Sequence, residues 1–198
     1  MTDWDVIDQA HGALRSAVAG VPTDGWDRPT PCAEWNVTQV LQHAAGDQVG
    51  FAAAITDGPW PSEDPFQPSG RLDGDPTTVA EEAMAAAARA WSTVTVDIDP
   101  VKVPVPPGEL PATVGAGACA LDAAVHAWDI AVATGQPSPL TPALAGELLD
   151  AARKIVEPLR AYGAYGPALP GATADGNEET LLRYLGRDPA WKAARDTP

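Results

Sequence analysis

One stretch of the sequence, residues 113–134, constrains the fold more than any other. Plotted on a helix at about 100° per residue, it is apolar or small on nearly every side, as buried helices are. Its only polar stripe follows positions spaced three, four and three apart: Cys119, Asp122, His126 and Asp129. An unpaired buried charge is very costly, so these side chains need partners. Because Asp and His at i and i+4 can bind one ion together, a buried metal site is the leading hypothesis.

Length, composition and charge restrict the class of protein. The 198-residue chain is long enough for one domain with a proper core, and we expect residues 1–198 to form it. The sequence has no run of 18 consecutive apolar residues, so no membrane span is predicted. The first residues, MTDWDVIDQAHG, do not resemble a secretory signal. The two cysteines, Cys32 and Cys119, are therefore expected as reduced thiols in a cytoplasm. The net charge of −15 makes nucleic acid and membrane surfaces poor partners.

Helical periodicity predicts an all-α fold of four main helices plus one, mostly antiparallel. The helices are expected over residues 3–19, over residues 37–56, from Asp75–Pro76 to about Ser92, over residues 113–134, and from Thr141–Pro142 onward. Pro158 should kink or end the last long helix. A short helical stretch near Glu178–Leu185 follows it.

Two connecting segments lack helical periodicity. The segment VTVDIDPVKVPVP alternates on both sides of Asp99–Pro100 and predicts a small β-hairpin, although Pro104 and Pro106 limit its pairing. Residues 57–75 are rich in Pro, Gly and acids, with two large aromatic side chains interspersed. A loop of this length is usually functional or disordered, and the aromatics favour a flap that packs over something.

The second helix supplies a further candidate ligand. Asn36 can cap its N-terminus while Gln39 reaches back, a sequence signature of a helix start. His43 follows two turns later beside the apolar face, with Asp47 one turn beyond it. The chain has only three histidines, and the stripe on the buried helix needs another ligand, so His43 is predicted to join the site. His11 lacks an acid or a second His at ligand spacing on the same face and is predicted to be a rim or packing residue.

His43 together with the D-x-x-x-H pair of Asp122 and His126 resembles the metal site of DinB-like bundles. More specifically, the chain resembles actinobacterial relatives of mycothiol-dependent maleylpyruvate isomerase. The segments TPCAEWNVTQVLQHAAG, LDAAVHAWDIAVATG and YGPALPG…LLRYLGRDPAW look like the start, middle and end of that group. The resemblance implies a DinB-like four-helix bundle with an extra C-terminal helical segment. It also implies a zinc-type ion held by His43, Asp122 and His126, and use of mycothiol.

The chain departs from the isomerase-type proteins in two respects. Those proteins have Glu where this chain has Asp122, so the carboxylate here is one methylene shorter. They also carry a further C-terminal domain, for which this chain is too short, so the resemblance does not by itself imply the isomerase activity.

The chemistry of the predicted site leaves the metal and the reaction open. Two His and one carboxylate leave coordination positions free, as in catalytic zinc sites, and the same set suits Fe(II) or Ni. Asp129 could orient a ligand, and Cys119 or Asp47 could add one. No catalytic or cofactor-binding residue is assigned.

The sequence allows three functions, two of them enzymatic and one not. The first is a thiol-dependent transferase or isomerase whose partners are a small-molecule thiol and an electrophile. The second is a metal-water hydrolase, for which no general base stands out. The third is a non-enzymatic binding or stress-response module. The oligomeric state is undetermined, with a homodimer as one option.

Overall fold

The computed structural model of the protein describes residues 4–193. Within them the elements are, in chain order, α1 (Asp5–Ala19), α2 (Val37–Thr56), α3 (Pro76–Trp91), β1 (Val101–Lys102), β2 (Glu109–Leu110), α4 (Ala112–Ala133), α5 (Pro142–Arg160) and α6 (Asn177–Tyr184). The predicted all-α class with a small hairpin is confirmed. The predicted first residue of α1, residue 3, lies outside the described part of the chain.

The first four helices form a bundle to which the last two are added. Helices α1 and α2 each pack against both α3 and α4, while α5 packs against α4 and α6 packs against α5. The backbones of α4 and α5 approach closely at Gly117, where a Cβ atom would lie 2.5 Å from the Cβ of Ala151. This is the four-helix bundle with an extra C-terminal helical segment that the sequence predicts.

Helix α4 is the central element of the bundle. Every residue of α4 is buried except Thr113, Asp122 and Val132. By length and composition α4 is the one helix in the described residues that could cross a membrane, but 89 % of its apolar window is buried within the protein. The apolar sequence of α4 is therefore explained by its place in the core.

The ends of the helices follow the capping signals in the sequence. Asn36 caps α2 through a hydrogen bond from the Gln39 amide, and the Gln39 side chain accepts one from the Asn36 amide, as the sequence predicts. The Thr141 hydroxyl caps α5 by accepting a hydrogen bond from the Leu144 amide. Helix α5 continues to Arg160, so Pro158 does not end it.

The hairpin lies later in the chain than the sequence suggested. Val101 pairs with Leu110 and Lys102 with Glu109, so the two strands follow Asp99–Pro100 instead of flanking it. The prolines of the segment 103–108 lie in the connection between the strands, where no N–H is needed for the ladder. The proline-rich residues therefore form the connection of the hairpin, and the alternating residues before Asp99 do not form a strand.

Candidate metal centre

Helices α2 and α4 bring three side chains with metal-binding atoms to one point. His43 projects from α2, and Asp122 and His126 project from successive turns of α4. The Oδ1 atom of Asp122 lies 3.6 Å from Nε2 of His43 and 3.5 Å from Nε2 of His126. Their donor atoms all lie within 4.8 Å of one another. The structure thus brings together the three residues predicted from the sequence as ligands.

A hydrogen bond at Nδ1 of each imidazole fixes the tautomer of the ring. Nδ1 of His43 lies 2.9 Å from the carbonyl oxygen of Pro65, and Nδ1 of His126 lies 2.9 Å from Oδ2 of Asp129. Both oxygens accept hydrogen bonds, so each Nδ1 carries the proton. Each Nε2 is then left with a lone pair that faces Asp122, which is the arrangement found in metal-binding histidines.

The spacing of these atoms fits a metal ion better than it fits hydrogen bonds. Nitrogen–oxygen hydrogen bonds are usually 2.7–3.2 Å long, and the two Nε2 to Oδ1 distances exceed that range. Ligand atoms about 2.1 Å from a tetrahedral zinc ion lie about 3.4 Å apart. The three donors could therefore hold a divalent ion without rearrangement of the helices.

A second carboxylate, Asp47, lies beside the three donors. Its Oδ2 is 3.8 Å from Nε2 of His43, and its side chain is only 16 % exposed. Burial raises the pKa of Asp47, and burial together with the charge of Asp47 raises the pKa of Asp122 well above its ordinary value. Two carboxylates in a dry site repel each other, so the pair favours either a shared proton or a bound cation.

Cys119, which lies on the same stripe of α4, is turned away from the donors. Its thiol donates to Oε1 of Gln48 at 3.2 Å, and Nε2 of Gln48 donates to the Cys119 carbonyl at 3.2 Å and to Oδ2 of Asp122 at 3.5 Å. The ring of His11 donates through Nε2 to the same Gln48 oxygen at 2.8 Å. Cys119 and His11 therefore belong to a buried hydrogen-bond network behind Asp122.

The loop between α2 and α3, residues 57–75, is held against α2. Nε2 of Gln39 donates to the carbonyl of Pro68 at 3.1 Å. One turn later, Gln42 accepts from the Gly70 amide at 2.7 Å and donates to the Arg71 carbonyl at 2.9 Å. The loop is thus fixed by polar side chains on the same face of α2 that carries His43.

Close packing at Gly46 brings this loop to His43. A Cβ atom at Gly46 would lie 2.8 Å from Cγ of Pro65, so only glycine allows the contact as it stands. The rings of Trp35 and Phe66 flank His43 at 4.7 and 5.4 Å between centroids. Phe66 nevertheless remains 58 % exposed. The loop therefore packs beside His43, in agreement with the flap predicted for residues 57–75.

Asp129, expected from the sequence to orient a ligand, is fully buried and lies under His126. Arg187 donates to both of its oxygens, through Nε to Oδ1 at 3.0 Å and through Nη2 to Oδ2 at 2.8 Å. The thiol of Cys32 donates to Oδ2 at 3.2 Å. Burial by itself raises the pKa of Asp129, but Arg187 and the hydrogen bond from His126 bring it below its ordinary value. The carboxylate is therefore charged and holds His126 in place.

Sequence reasoning missed four residues around the site: Pro65, Gln48, Arg187 and Tyr165. Tyr165 is close enough to the site for Asp122 to act on it: burial and the charge of Asp122 raise the pKa of its phenol. A signal existed for Arg187 alone, because a buried Asp129 demands a cation and the chain has only 12 basic residues. Pro65 acts through its backbone carbonyl, which no side-chain pattern can reveal.

Comparisons with known proteins agree with this architecture. The family described as "Mycothiol maleylpyruvate isomerase N-terminal domain" matches residues 7–131, which span α1 to α4. Two proteins of Mycobacterium tuberculosis, "Uncharacterized protein MT0763" of strain CDC 1551 / Oshkosh and "Uncharacterized protein Rv0738" of strain H37Rv, are each 36 % identical over 152 residues. That match covers 76 % of this chain and 77 % of each relative. No solved structure matches the chain significantly. The chain belongs to the family of mycothiol maleylpyruvate isomerase N-terminal domains.

Proposed function

We propose that the protein is a metal-dependent enzyme that activates a small-molecule thiol for transfer to, or isomerisation of, an electrophilic substrate. The ion proposed is divalent, with zinc first and nickel or iron as alternatives. Mycothiol is the thiol proposed, because the chain belongs to a family whose description names it. The proposed ligands are His43, Asp122 and His126.

One observation supports this proposal above the others. Two imidazole nitrogens without protons lie 3.5–3.6 Å from one carboxylate oxygen, all three atoms lie within 4.8 Å of one another, and none of the three is a hydrogen-bond donor. Three electron-pair donors in a buried site are unfavourable unless a cation or a proton lies between them. Three ligands also leave positions at which a substrate can enter, whereas structural zinc sites are usually closed by four.

The residues around these donors have defined tasks in this proposal. A divalent ion at this point would make a thiol or a water molecule that joins it far more acidic. Asp47, with its raised pKa, can accept the proton that is released. Pro65 and Asp129 hold the two imidazoles in the required tautomer, and the loop 57–75 limits the access of water.

The setting proposed is the cytoplasm, with small molecules as partners. The net charge of −15 disfavours nucleic acid and anionic membranes as partners. Burial raises the pKa of both Cys32 and Cys119, so neither thiol is a ready nucleophile. A reactive thiol must then come from a bound small molecule. A homodimer is the assembly to test first.

Elemental analysis and zinc titration test the metal site. We expect about one divalent ion per chain in the parent protein and a loss of binding in His43→Ala and His126→Ala. Cys119→Ser is the matched control, because it changes a buried polar residue of α4 that faces away from the donors. Full metal content in both histidine variants would refute the proposed ligands.

A conjugation assay tests the thiol chemistry. The protein used is the Cys32→Ser, Cys119→Ser double variant, which excludes reaction of the protein's own thiols. We expect it to accelerate the reaction of mycothiol with members of a panel of electrophiles only when metal is bound, and His126→Ala to abolish the acceleration. Activity that needs Cys32 and is indifferent to metal would refute the mechanism.

Asp47 gives specific support to a second candidate, a metal-water hydrolase. The sequence offered no general base, but the structure has a buried carboxylate with a raised pKa beside the donors. Hydrolysis of ester or amide substrates without any thiol, lost in Asp47→Asn, would favour this candidate. Metal binding without either activity would favour a non-enzymatic binding or stress-response module.

A further inference from the structure

A second cluster of possible ligands lies behind the proposed metal site. Cys32, His126 and Asp129 have donor atoms within 4.8 Å of one another. A thiolate, an imidazole and a carboxylate are all good zinc ligands, and the thiolate is the softest atom near His126. His126 belongs to both clusters, with Nε2 in the first and Nδ1 in the second.

The second cluster already contains a positive charge. The guanidinium of Arg187 binds both oxygens of Asp129, and its Nη2 lies 3.5 Å from the sulfur of Cys32. The Arg187 side chain is only 11 % exposed, and Asp129 is fully buried. A planar, permanently charged group that binds a carboxylate through two hydrogen bonds is a fixed cation at this position.

We propose that Arg187 takes the place of a metal ion in the second cluster and thereby directs the divalent ion to the Nε2 side of His126. This inference rests on the proposed metal site of His43, Asp122 and His126. Arg187 is thus a positioning residue that selects between two possible metal sites sharing one histidine.

The two sites exclude each other because a neutral imidazole carries a single proton. An ion at Nδ1 of His126 requires that this proton move through solvent to Nε2, which then has no lone pair for the first site. The thiol of Cys32 would release its proton to solvent as its sulfur bound the ion. Arg187 prevents this change, since a second cation beside it would be repelled and Asp129 is already paired.

Cobalt(II) substitution tests the inference, because a thiolate ligand gives cobalt a strong near-ultraviolet charge-transfer band that nitrogen and oxygen ligands do not. In the parent protein we expect visible cobalt bands without a thiolate band, even with cobalt in excess. Arg187→Met should gain a band corresponding to one thiolate per chain, and Arg187→Met combined with Cys32→Ser should lose it. Arg187→Lys keeps a cation at the cluster and should lack the band.

Arg160→Met serves as a control for loosening of the C-terminal segment. The hydrogen bonds of Arg160 go to Glu157 and to the carbonyls of Gly166 and Tyr184 and not to Asp129 or Cys32, so this variant should lose stability without gaining a thiolate band. A folded Arg187→Met protein with the parental cobalt spectrum would overturn the inference. If Arg187→Met does not fold, a thiolate band in the parent at excess cobalt overturns it. A parent without any cobalt bands would instead refute the proposed metal site.

Discussion

At the scale of single residues, the candidate metal centre depends on which nitrogen of each histidine carries a proton. His43 gives its Nδ1 proton to a backbone carbonyl, and His126 gives its own to a buried carboxylate. Burial lowers the pKa of His126 to about 4, so its ring is neutral at ordinary pH. The lone pair of His126 that faces Asp122 is therefore available without prior loss of a proton from the ring.

The first prediction concerns the carboxylate between the two histidines. Asp122→Asn keeps the shape of the side chain and removes its charge. We expect the affinity for zinc to fall by more than about 100-fold, since loss even of an outer hydrogen-bond partner costs 10–100-fold. The metal-free variant should unfold at a temperature no lower than the metal-free parent, because the buried charge and its repulsion by Asp47 are gone.

Isothermal titration and thermal unfolding measure both parts of this prediction. Asn177→Ala, which removes a hydrogen bond to Pro142 at the start of α5, is a control for unspecific loss of stability. If Asp122→Asn binds zinc as well as the parent does, Asp122 is not a ligand and Asp47 becomes the next candidate.

The second prediction concerns pH. Burial raises the pKa values of both Asp122 and Asp47, and the charge of Asp47 raises that of Asp122 further, so the metal-free protein holds a proton there that an unfolded chain would release. Metal binding must displace this proton. Below the raised pKa, the affinity should increase with pH by up to about tenfold per pH unit.

Proton release is measured by isothermal titration in buffers with different heats of ionisation. Metal-free stability should change in the opposite direction, rising as the pH falls through the raised pKa, since protonation favours the folded state. In Asp47→Asn the pKa of Asp122 should fall, and fewer protons should be released. An affinity that does not vary with pH would show that the two carboxylates do not share a proton.

At the scale of secondary structure elements, one face of α2 both carries His43, a candidate metal ligand, and holds the loop 57–75. Gln39 and Gln42 bind loop backbone, His43 binds the Pro65 carbonyl, and Gly46 gives Pro65 room to approach. The loop and the imidazole are therefore positioned by consecutive turns of a single helix.

The third prediction uses two glycines on α2. A Cβ in Gly46→Ala would lie 2.8 Å from Cγ of Pro65 and should push the Pro65 carbonyl away from His43. We expect the affinity for zinc to fall by about 10–100-fold, as for other losses of an outer partner. Zinc titration measures this effect, with circular dichroism to verify the helix content.

Gly50→Ala, one turn later on the same helix, is the matched control. Its Cβ would be at least 3.6 Å from its neighbours Pro104 and Trp60, which is ordinary contact distance. It should leave zinc affinity unchanged and stabilise α2 by about 1 kcal/mol, the helix preference for Ala over Gly. Equal zinc affinity in Gly46→Ala and in the parent would mean that Pro65 does not position His43.

The features that sequence could predict are those coded by spacing within one element. The apolar sequence of α4 and the capping signal of α2 correctly predicted these two helices. The three-four-three spacing predicted that the polar residues of α4 share one stripe. Cys119 lies on that stripe but its thiol donates to Gln48, because positions at different heights along the stripe face different turns of α2, and Gln48 lies more than one turn beyond His43. The hairpin was misplaced because alternation before Asp99 has no partner strand.

At the scale of the whole molecule, separate parts of the chain meet around His126. Helix α4 supplies the residue itself, α2 supplies His43, the segment before α2 supplies Cys32, and the segment after α6 supplies Arg187. Contacts that connect residues 32, 129 and 187 link distant positions, and no local pattern encodes them. For this reason the convergence of the candidate ligands on α2 and α4 could be predicted, whereas Arg187 and the contact of Cys32 could not.

The last prediction follows from this convergence. An ion bound only by the folded protein stabilises it by about 2.7 kcal/mol when its free concentration is 100 times Kd. For a chain of 198 residues this corresponds to a rise in Tm of about 5–10 °C. Adding zinc to the metal-free parent should produce this rise, and a chelator should reverse it, as measured by thermal unfolding.

The acidic surface makes a control for unspecific binding necessary, because a net charge of −15 attracts any divalent cation. Magnesium, which prefers oxygen ligands, should raise Tm equally and only slightly in the parent and in His126→Ala. Zinc should raise Tm in the parent well beyond magnesium, since it also removes the repulsion between Asp47 and Asp122. An equal zinc effect in the parent, His43→Ala and His126→Ala would place the stabilising ion on the surface and not between α2 and α4.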